Sequence, residues 1–256
     1  MDFPLARAIV PRLAVATRTG STNADLRAHA ADADGWPHLS TIVTRDQTAG
    51  RGRLDRTWIA PEGTALAVSV LLRHLPVDPA ARGWVPLAAG LAMSGAVAAQ
   101  LPEHHVTMKW PNDVLVDGRK ICGILAEATA DAVVVGAGVN TAMTVEQLPV
   151  PTATSFAALD VDVDEDRLLA AYLTALDDLL SALVSTGDAV GSGLHASATI
   201  RCATIGQAVR VSLPGGRNWE GSATGLDPEG RLLVSVDGEQ KAISAGDVVH
   251  VRPAGN

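Results

Sequence analysis

Residues 106–139 read VTMKWPNDVLVDGRKICGILAEATADAVVVGAGV, a succession of short valine-, isoleucine- and leucine-rich runs broken by residues that turn the chain. Runs of this composition favour strands, because β-branched side chains pack well on a pleated surface. The stretch predicts strands over 106–110, 114–116, 120–128 and 132–139, with turns at Gly118 and at Ala130-Asp131.

On the N-terminal side, 13–17 is a short apolar strand candidate. Gly20-Ser21-Thr22-Asn23 follows, where Thr22 and Asp25 have the spacing of a capping box that starts a helix running to about Asp34. Strands over 39–44 and 64–72 enclose a polar loop, DQTAGRGRLDRTW at 46–58, and long glycine-bearing loops of this kind are often functional. A buried helix is expected over 84–101. Pro86, Gly90, Ser94, Gly95 and Gln100 interrupt its apolar run, which falls short of the ~20 residues a membrane span requires.

On the C-terminal side, 139–155 is broken by Pro149 and Pro151 and reads as a second long loop. Residues 164–187 form an amphipathic helix, with apolar positions from Leu168 to Leu183 at three-to-four-residue spacing and a stop at Gly187. From about Ile205 the texture changes to short strands at 209–213, 219–225, 232–236, 240–244 and 248–252, separated by the turns PGG, DPEG, DG and AGD. That spacing suggests a small all-β barrel of roughly fifty residues.

A length of 256 residues suits a large domain plus a small one, and 47% hydrophobic against 19% charged residues is a globular composition. With only 3% aromatics, alanine, valine and leucine must fill the core. A net charge of -8 argues against a broad footprint for DNA or RNA, which demands a surplus of lysine and arginine. Cys122 and Cys202 have no metal-ligand spacing and cannot build a disulfide framework, so a reducing cytoplasm is the expected setting. The start MDFPLARAIV lacks the features of a signal peptide and reads as mature protein. His104 and His105 lack partner ligands and read as a wet loop after a helix.

Three stretches carry chemistry. Within 47–58, Arg51, Arg53 and Arg56 face Asp55 alone, a local charge of +2 in an acidic chain. Gly50 and Gly52 let the backbone approach a ligand closely, and guanidinium forks match phosphate and carboxylate oxygens. A solvated turn whose arginines pair with surface carboxylates explains the same residues equally well. Trp58 either stacks on a base or sits in the core. In the second stretch, Lys120 heads the apolar run ICGILAEA; it is either a snorkelling strand-end lysine or a positive charge beside a reacting phosphate. Asn112 and Asp113 could orient it or hold Mg²⁺, an ion that takes one or two carboxylates plus phosphate oxygens, or they are a plain turn. In the third, Gly136-Ala137-Gly138-Val139-Asn140 ends a strand in small residues and an amide, without the third glycine of a dinucleotide fingerprint.

Taken together, GSTN, DQTAGRGRLDRTW, KWPNDVLVDGRKICGILAE and VGAGVN occur in the order and at the intervals found in biotin–protein ligases, which the chain resembles from about Leu13 to its C-terminus. The resemblance implies an α+β fold. A mixed sheet backed by helices, like that of class II aminoacyl-tRNA synthetases and lipoate ligases, would form a catalytic domain over 1–204, with an SH3-like barrel over 205–256. It places Ser21, Thr22 and Asn23 near the biotin ring and tail, with Gln47 and Gly50 beside them. Arg51, Gly52 and Arg53 would wrap the activated intermediate, and Lys120 would touch both the biotin carboxylate and the α-phosphate. Gly123 would line the biotin pocket, Trp58 and Asn140 would contact the adenosine part, Asn112 would lie in the nucleotide site, and Asp113 would be the metal ligand. Thr57 stands where many relatives carry lysine.

The implied reaction activates biotin with ATP and Mg²⁺ to biotinyl-5′-adenylate and transfers it to a lysine of a carboxylase's biotin carrier domain. Electrostatic stabilisation by Lys120, Arg51 and Arg53 would carry the first step. Residues 47–58 and 141–155 are candidate lids over the mixed anhydride. The rival readings are a lipoate or octanoate ligase on the same scaffold, a biotin-responsive repressor, which the few residues before the first strand disfavour, and a non-catalytic biotin-binding protein. A short form without a DNA-binding domain is expected, as a monomer or weak homodimer; in the family, the sheet edge near the VGAGVN strand can pair between subunits.

Overall fold

The computed structural model describes residues 2–54, 56–212, 218–244 and 247–250. Helix α1 (Pro4–Ile9) leads into β1 (Leu13–Val15), α2 (Thr22–Ala28) and β2 (Thr41–Thr44). A small hairpin of β3 (Gly50–Arg51) and β4 (Thr57–Trp58) precedes β5 (Ala65–Leu72) and α3 (Val85–Ala98). Then come β6 (Val106–Lys109), β7 (Asp113–Val116), β8 (Arg119–Ala128) and β9 (Val133–Asn140). Helices α4 (Glu165–Thr186) and α5 (Leu194–Arg201) connect to β10 (Ala208–Ser212), β11 (Asn218–Leu226), β12 (Leu232–Val236), β13 (Glu239–Ile243) and β14 (Asp247–His250).

Seven strands form the central sheet in the order β1-β2-β5-β9-β8-β7-β6. Only β1 and β2 are parallel, since α2 lies in the connection between them; all other neighbours are antiparallel. The tight β7–β8 turn puts Asp117 and Gly118 at φ 50° and 76°, the left-handed pair that a two-residue hairpin loop requires.

The period-two alternation of the strands divides the sheet into two faces. Leu66, Val68, Val70 and Leu72 of β5 and Val133, Val135, Ala137 and Val139 of β9 join the main core. Helix α3 is apolar on nearly every side because it lies between this face and α4, whose leucine stripe it also meets. Asp164 caps α4 by accepting from Arg167 N at 3.0 Å, and Gly187 at φ 79° ends it. On the opposite face α2 sits over Ile42, Leu71 and Val134 in a smaller cluster with Leu26 and Trp36.

The second sheet is antiparallel throughout, in the order β13-β12-β11-β10-β14. Two buried tryptophans of the first part tie the parts together: Trp84 Nε1 donates to Pro228 O at 2.8 Å and Trp110 Nε1 to Gly230 O at 3.0 Å. Leu213, the PGG turn, Ala245 and Gly246 of the AGD turn, the strand end at 251–252 and Asp55 lie outside the described residues.

Two expectations are corrected. Helix α2 stops at Ala28 rather than near Asp34: Asp32 folds the chain back by accepting from Gly35 N and Trp36 N, and Trp36 stacks on His29 at 4.1 Å. Its N-cap is Ser21, one residue before Thr22, because the Thr22 hydroxyl is turned toward tertiary partners. The VGAGVN strand, β9, pairs with β5 and β8 on its two sides.

Candidate active site

On the α2 face of the central sheet, bulk is missing from neighbouring strands. Ala67 pairs with Gly138, Gly138 with Gly123, and Ser69 with Gly136. These small residues leave a cleft with about 910 Å³ of empty space, its open mouth included. At two of the glycines a side chain would have to displace a neighbour. A Cβ on Gly136 would lie 2.4 Å from Asn23 Oδ1, and one on Gly138 would lie 2.7 Å from the Trp58 ring.

The floor is a buried polar network. Gln47 Oε1 accepts from Thr22 N at 2.8 Å and lies 3.1 Å from Thr22 Oγ1. Ser69 Oγ is 2.8 Å from Thr22 Oγ1 and 2.6 Å from Asn23 Oδ1. Asn23 Nδ2 donates to Glu127 Oε2 at 2.8 Å and to Leu125 O at 3.2 Å, and Glu127 is paired with Arg27 at 2.8 Å. Buried hydrogen-bond networks of this kind hold side chains in one geometry.

Lys120 reaches the same cleft through an irregularity in β8. Opposite β7, Leu115 faces Lys120 and Val114 faces Cys122, so Ile121 is an extra residue. In a regular strand Lys120 and Gly123 would point to opposite faces; the bulge puts them on one face, so that Lys120 Nζ stands 2.9 Å from where a Gly123 Cβ would be. Asp113 Oδ1 holds the ammonium at 2.6 Å. The Lys120 backbone is fixed as well, donating to Thr152 O and accepting from Thr154 N, both at 2.8 Å.

The β3–β4 hairpin forms the rim. Gly52 N donates to Arg56 O at 2.6 Å, and Gly50 packs so tightly under Trp58 that a Cβ there would meet Trp58 O at 2.5 Å. Arg51, Arg53 and Arg56 line the cleft, and Arg53 Nη1 donates to Asn112 Oδ1 at 3.3 Å. Asn112 is itself anchored by donating from Nδ2 to Ile124 O at 2.8 Å.

The structure therefore brings Ser21, Thr22, Asn23, Gln47, Arg51, Gly52, Arg53, Trp58, Asn112, Asp113, Lys120 and Gly123 to one cleft. Gly50 and Asn140 do not line it. Gly50 packs under Trp58, and the buried Asn140 side chain donates to Thr154 O at 2.9 Å. The segment 141–155 is anchored at its ends: Thr141, Thr154 and Ser155 are buried, and residues 152 and 154 are bonded to Lys120. His104 pairs with Asp117 at 2.6 Å, away from the cleft. Ser69 and Glu127 went unnoticed in the sequence. A polar residue midway along the otherwise apolar β5 was the available signal for Ser69. Among the described residues no group of three His, Cys, Asp or Glu could hold a metal ion. The nearest carboxylate, Asp113, is engaged by Lys120, so these residues do not fit a protein-held metal.

The cleft has one anionic carboxylate partnered by a lysine, several rim guanidiniums and a floor of hydrogen-bonding side chains. It suits an anion at one end and a hydrogen-bonding neutral group at the other. Residues 15–140 match the family model "Biotin/lipoate A/B protein ligase family", and residues 204–251 match "Biotin protein ligase C terminal domain". The chain is 42% identical to a biotin--[acetyl-CoA-carboxylase] ligase of Mycobacterium tuberculosis, covering 94% of this chain and 90% of that protein. It is 31% identical to the bifunctional ligase/repressor BirA of Escherichia coli, covering 80% of this chain and 64% of that one. Among solved structures, the biotin protein ligase of Aquifex aeolicus in complex with biotin and ATP superposes with a TM-score of 0.78 at 25% identity, covering 95% of this chain and all of that one. The α+β fold, the cleft and these likenesses agree, and the chain belongs to the biotin–protein ligase family.

Proposed function

We propose that the chain joins biotin to ATP and transfers the biotinyl group to a lysine of an acetyl-CoA carboxylase's biotin carrier domain. The observation that carries this reading is the placement of Lys120: its ammonium, fixed by Asp113 over Gly123, stands between the polar floor and the arginine rim. In the first step a biotin carboxylate oxygen bonds to the α-phosphorus and the bond to the β-phosphate bridging oxygen breaks, releasing pyrophosphate. Both reactants are anions and charge builds at the α-phosphate, so a preset cation lowers the barrier by electrostatic stabilisation and positioning. Arg51 and Arg53 supply further positive charge where the adenylate would lie. In the second step the neutral amine of the acceptor lysine attacks the acyl carbon, AMP leaves with the phosphoryl-side oxygen, and the amine proton passes to solvent.

The floor holds the ring end: Thr22, Asn23 and Gln47 supply polar groups to a cyclic urea, beside Ser21. Trp58 offers an aromatic face and Asn112 an amide toward the nucleotide, and Asn140 supports the strand end from behind. Magnesium enters as MgATP, part of the substrate, in keeping with the lack of a carboxylate cluster among the described residues. The reading agrees with the name of the Mycobacterium tuberculosis relative and with the biotin and ATP of the Aquifex aeolicus structure. The test is acid-dependent ATP–pyrophosphate exchange with ³²P-pyrophosphate, with biotin, lipoate and octanoate as competing acids, together with mass spectrometry for bound biotinyl-adenylate. Exchange with biotin alone is expected; exchange driven equally by octanoate or lipoate overturns the assignment.

A further inference from the structure

Ser69 is wholly buried in the middle of β5, in a run of alanine, valine and leucine. Its Oγ contacts both Asn23 Oδ1, at 2.6 Å, and Thr22 Oγ1, at 2.8 Å, yet a serine hydroxyl has one proton and can donate to only one of them. The other end of the Asn23 amide decides which. It faces Leu125 O and the Glu127 carboxylate, neither of which has a proton to give, so that end is Nδ2 and the end toward Ser69 is the carbonyl oxygen. The Ser69 proton therefore goes to Asn23. The 2.8 Å contact to Thr22 must then be bridged by the Thr22 proton, donated to Ser69 Oγ. Gln47 Oε1, 3.1 Å from the same hydroxyl, already accepts from Thr22 N. Even if it shared the Thr22 proton the result would stand: that proton is held inside the protein, and Thr22 meets the cleft with oxygen lone pairs alone.

We propose that Ser69 is a positioning residue for substrate selection: through Asn23 and Glu127 it fixes Thr22 as a hydrogen-bond acceptor, so the cleft takes a ligand N–H there and rejects a second acceptor. This rests on the functional reading above, in which the ligand is biotin and its cyclic urea supplies two N–H groups. An acyl chain or a dithiolane ring has no N–H to offer Thr22, which leaves a buried acceptor unpaired.

The test uses the two oxazolidinone isosteres of biotin, in each of which one ureido N–H is replaced by a ring oxygen of similar size. Acid-dependent ATP–pyrophosphate exchange gives kcat/KM for biotin and for each isostere. For wild-type protein, the isostere whose oxygen faces Thr22 is expected to fall about 30-fold or more below biotin. In Ser69→Ala only the longer contact to Gln47 Oε1, which already accepts from Thr22 N, is left to hold the Thr22 proton; the hydroxyl then turns and donates more readily, and that ratio is expected to shrink at least tenfold while the ratio for the other isostere holds. A variant that is loosened only structurally loses activity with all three acids alike, and unchanged ratios in a folded, active Ser69→Ala protein overturn the proposal. Should Ser69→Ala not fold, Thr22→Ser is expected to keep the wild-type ratio and Thr22→Val to abolish it; a Thr22→Val protein that keeps it overturns the proposal. Wild-type protein that shows no exchange with biotin overturns the functional reading and this one together, a result distinct from unchanged ratios.

Discussion

Thr22, Asn23 and Ser69, on the floor of the cleft, are 3%, 5% and 0% exposed, whereas Lys120 above them keeps 42% of its side chain in solvent and Arg51 on the rim is exposed. The floor side chains bond to one another and reach their geometry on folding. Lys120 is held by Asp113, and the rim arginines stand on a two-stranded hairpin whose short strands, among the described residues, pair with each other alone. The contrast matches the demands on each region. Recognising a neutral ring calls for donors and acceptors that cannot turn to suit the wrong ligand, while stabilising a charge that develops during reaction calls for cations near solvent that close on phosphates as they arrive.

The largest separation between the regions is expected from Lys120→Ala. Losing one preset charge at the reacting phosphate should lower biotin-dependent ATP–pyrophosphate exchange about 100- to 1,000-fold. Because the Lys120–Asp113 pair is partly exposed, unfolding by urea should show a loss of only about 1 kcal/mol. Near-normal exchange would remove Lys120 from the chemistry and leave the rim without its main assigned role.

A glycine-to-alanine pair tests the contrast on one strand. Gly136 lies under the floor and Gly138 under the rim, two residues apart on β9 and on the same face. Alanine at 136 drives a methyl into the Asn23 amide, whose two ends are bonded to Ser69 and to Glu127 and Leu125. It should cost about 1–3 kcal/mol of stability, as overpacking does, and raise the KM for biotin. Alanine at 138 meets the Trp58 ring instead. That ring is half-buried on the hairpin and can shift, so tryptophan fluorescence should change with a smaller loss of stability. Equal destabilisation by the two variants would mean that the rim is as fixed as the floor.

Much of the rim was legible in the sequence, and less of the floor. The glycines and arginines of 50–53 are unusual in an acidic chain, and their interval from GSTN and from Lys120 carried the family resemblance. The floor depends on registers that one sequence does not display. Ser69 matters because β5 places it opposite Gly136, and Glu127 because β8 aligns it with α2. Lys120 and Gly123 share a face only through the bulge at Ile121, which simple alternation would not foresee. Thr22 fitted the pattern of a helix cap, but local capping lost to two tertiary partners and Ser21 took the position. The segment 141–155 shows a related point: its prolines suggested irregularity correctly, yet irregular backbone is still anchored where residues 152 and 154 bond to Lys120 of the neighbouring strand.

The smallest expected effect concerns the other side of the same strand. Cys122 follows Lys120 by two residues, yet it is 1% exposed and lies in the apolar core beneath the sheet. Burial pushes its thiol from the usual 9.0 up to about 12, against the pull of the nearby Lys120 ammonium. The sheet must therefore keep solvent of the cleft from the core a few ångströms away. In a Cys202→Ser protein, which leaves Cys122 as the only thiol, the native state should not react with a disulfide reagent at pH 8 and should react fully in denaturant. Stability should follow the same logic. Above pH 9 the unfolded thiol ionises and the native one does not, so this group's contribution is complete below that pH and declines as pH rises through it. Rapid modification of the native protein would show that water crosses the sheet at β8, and the separation between a wet reactive face and a dry supporting one would fail where the bulge lies.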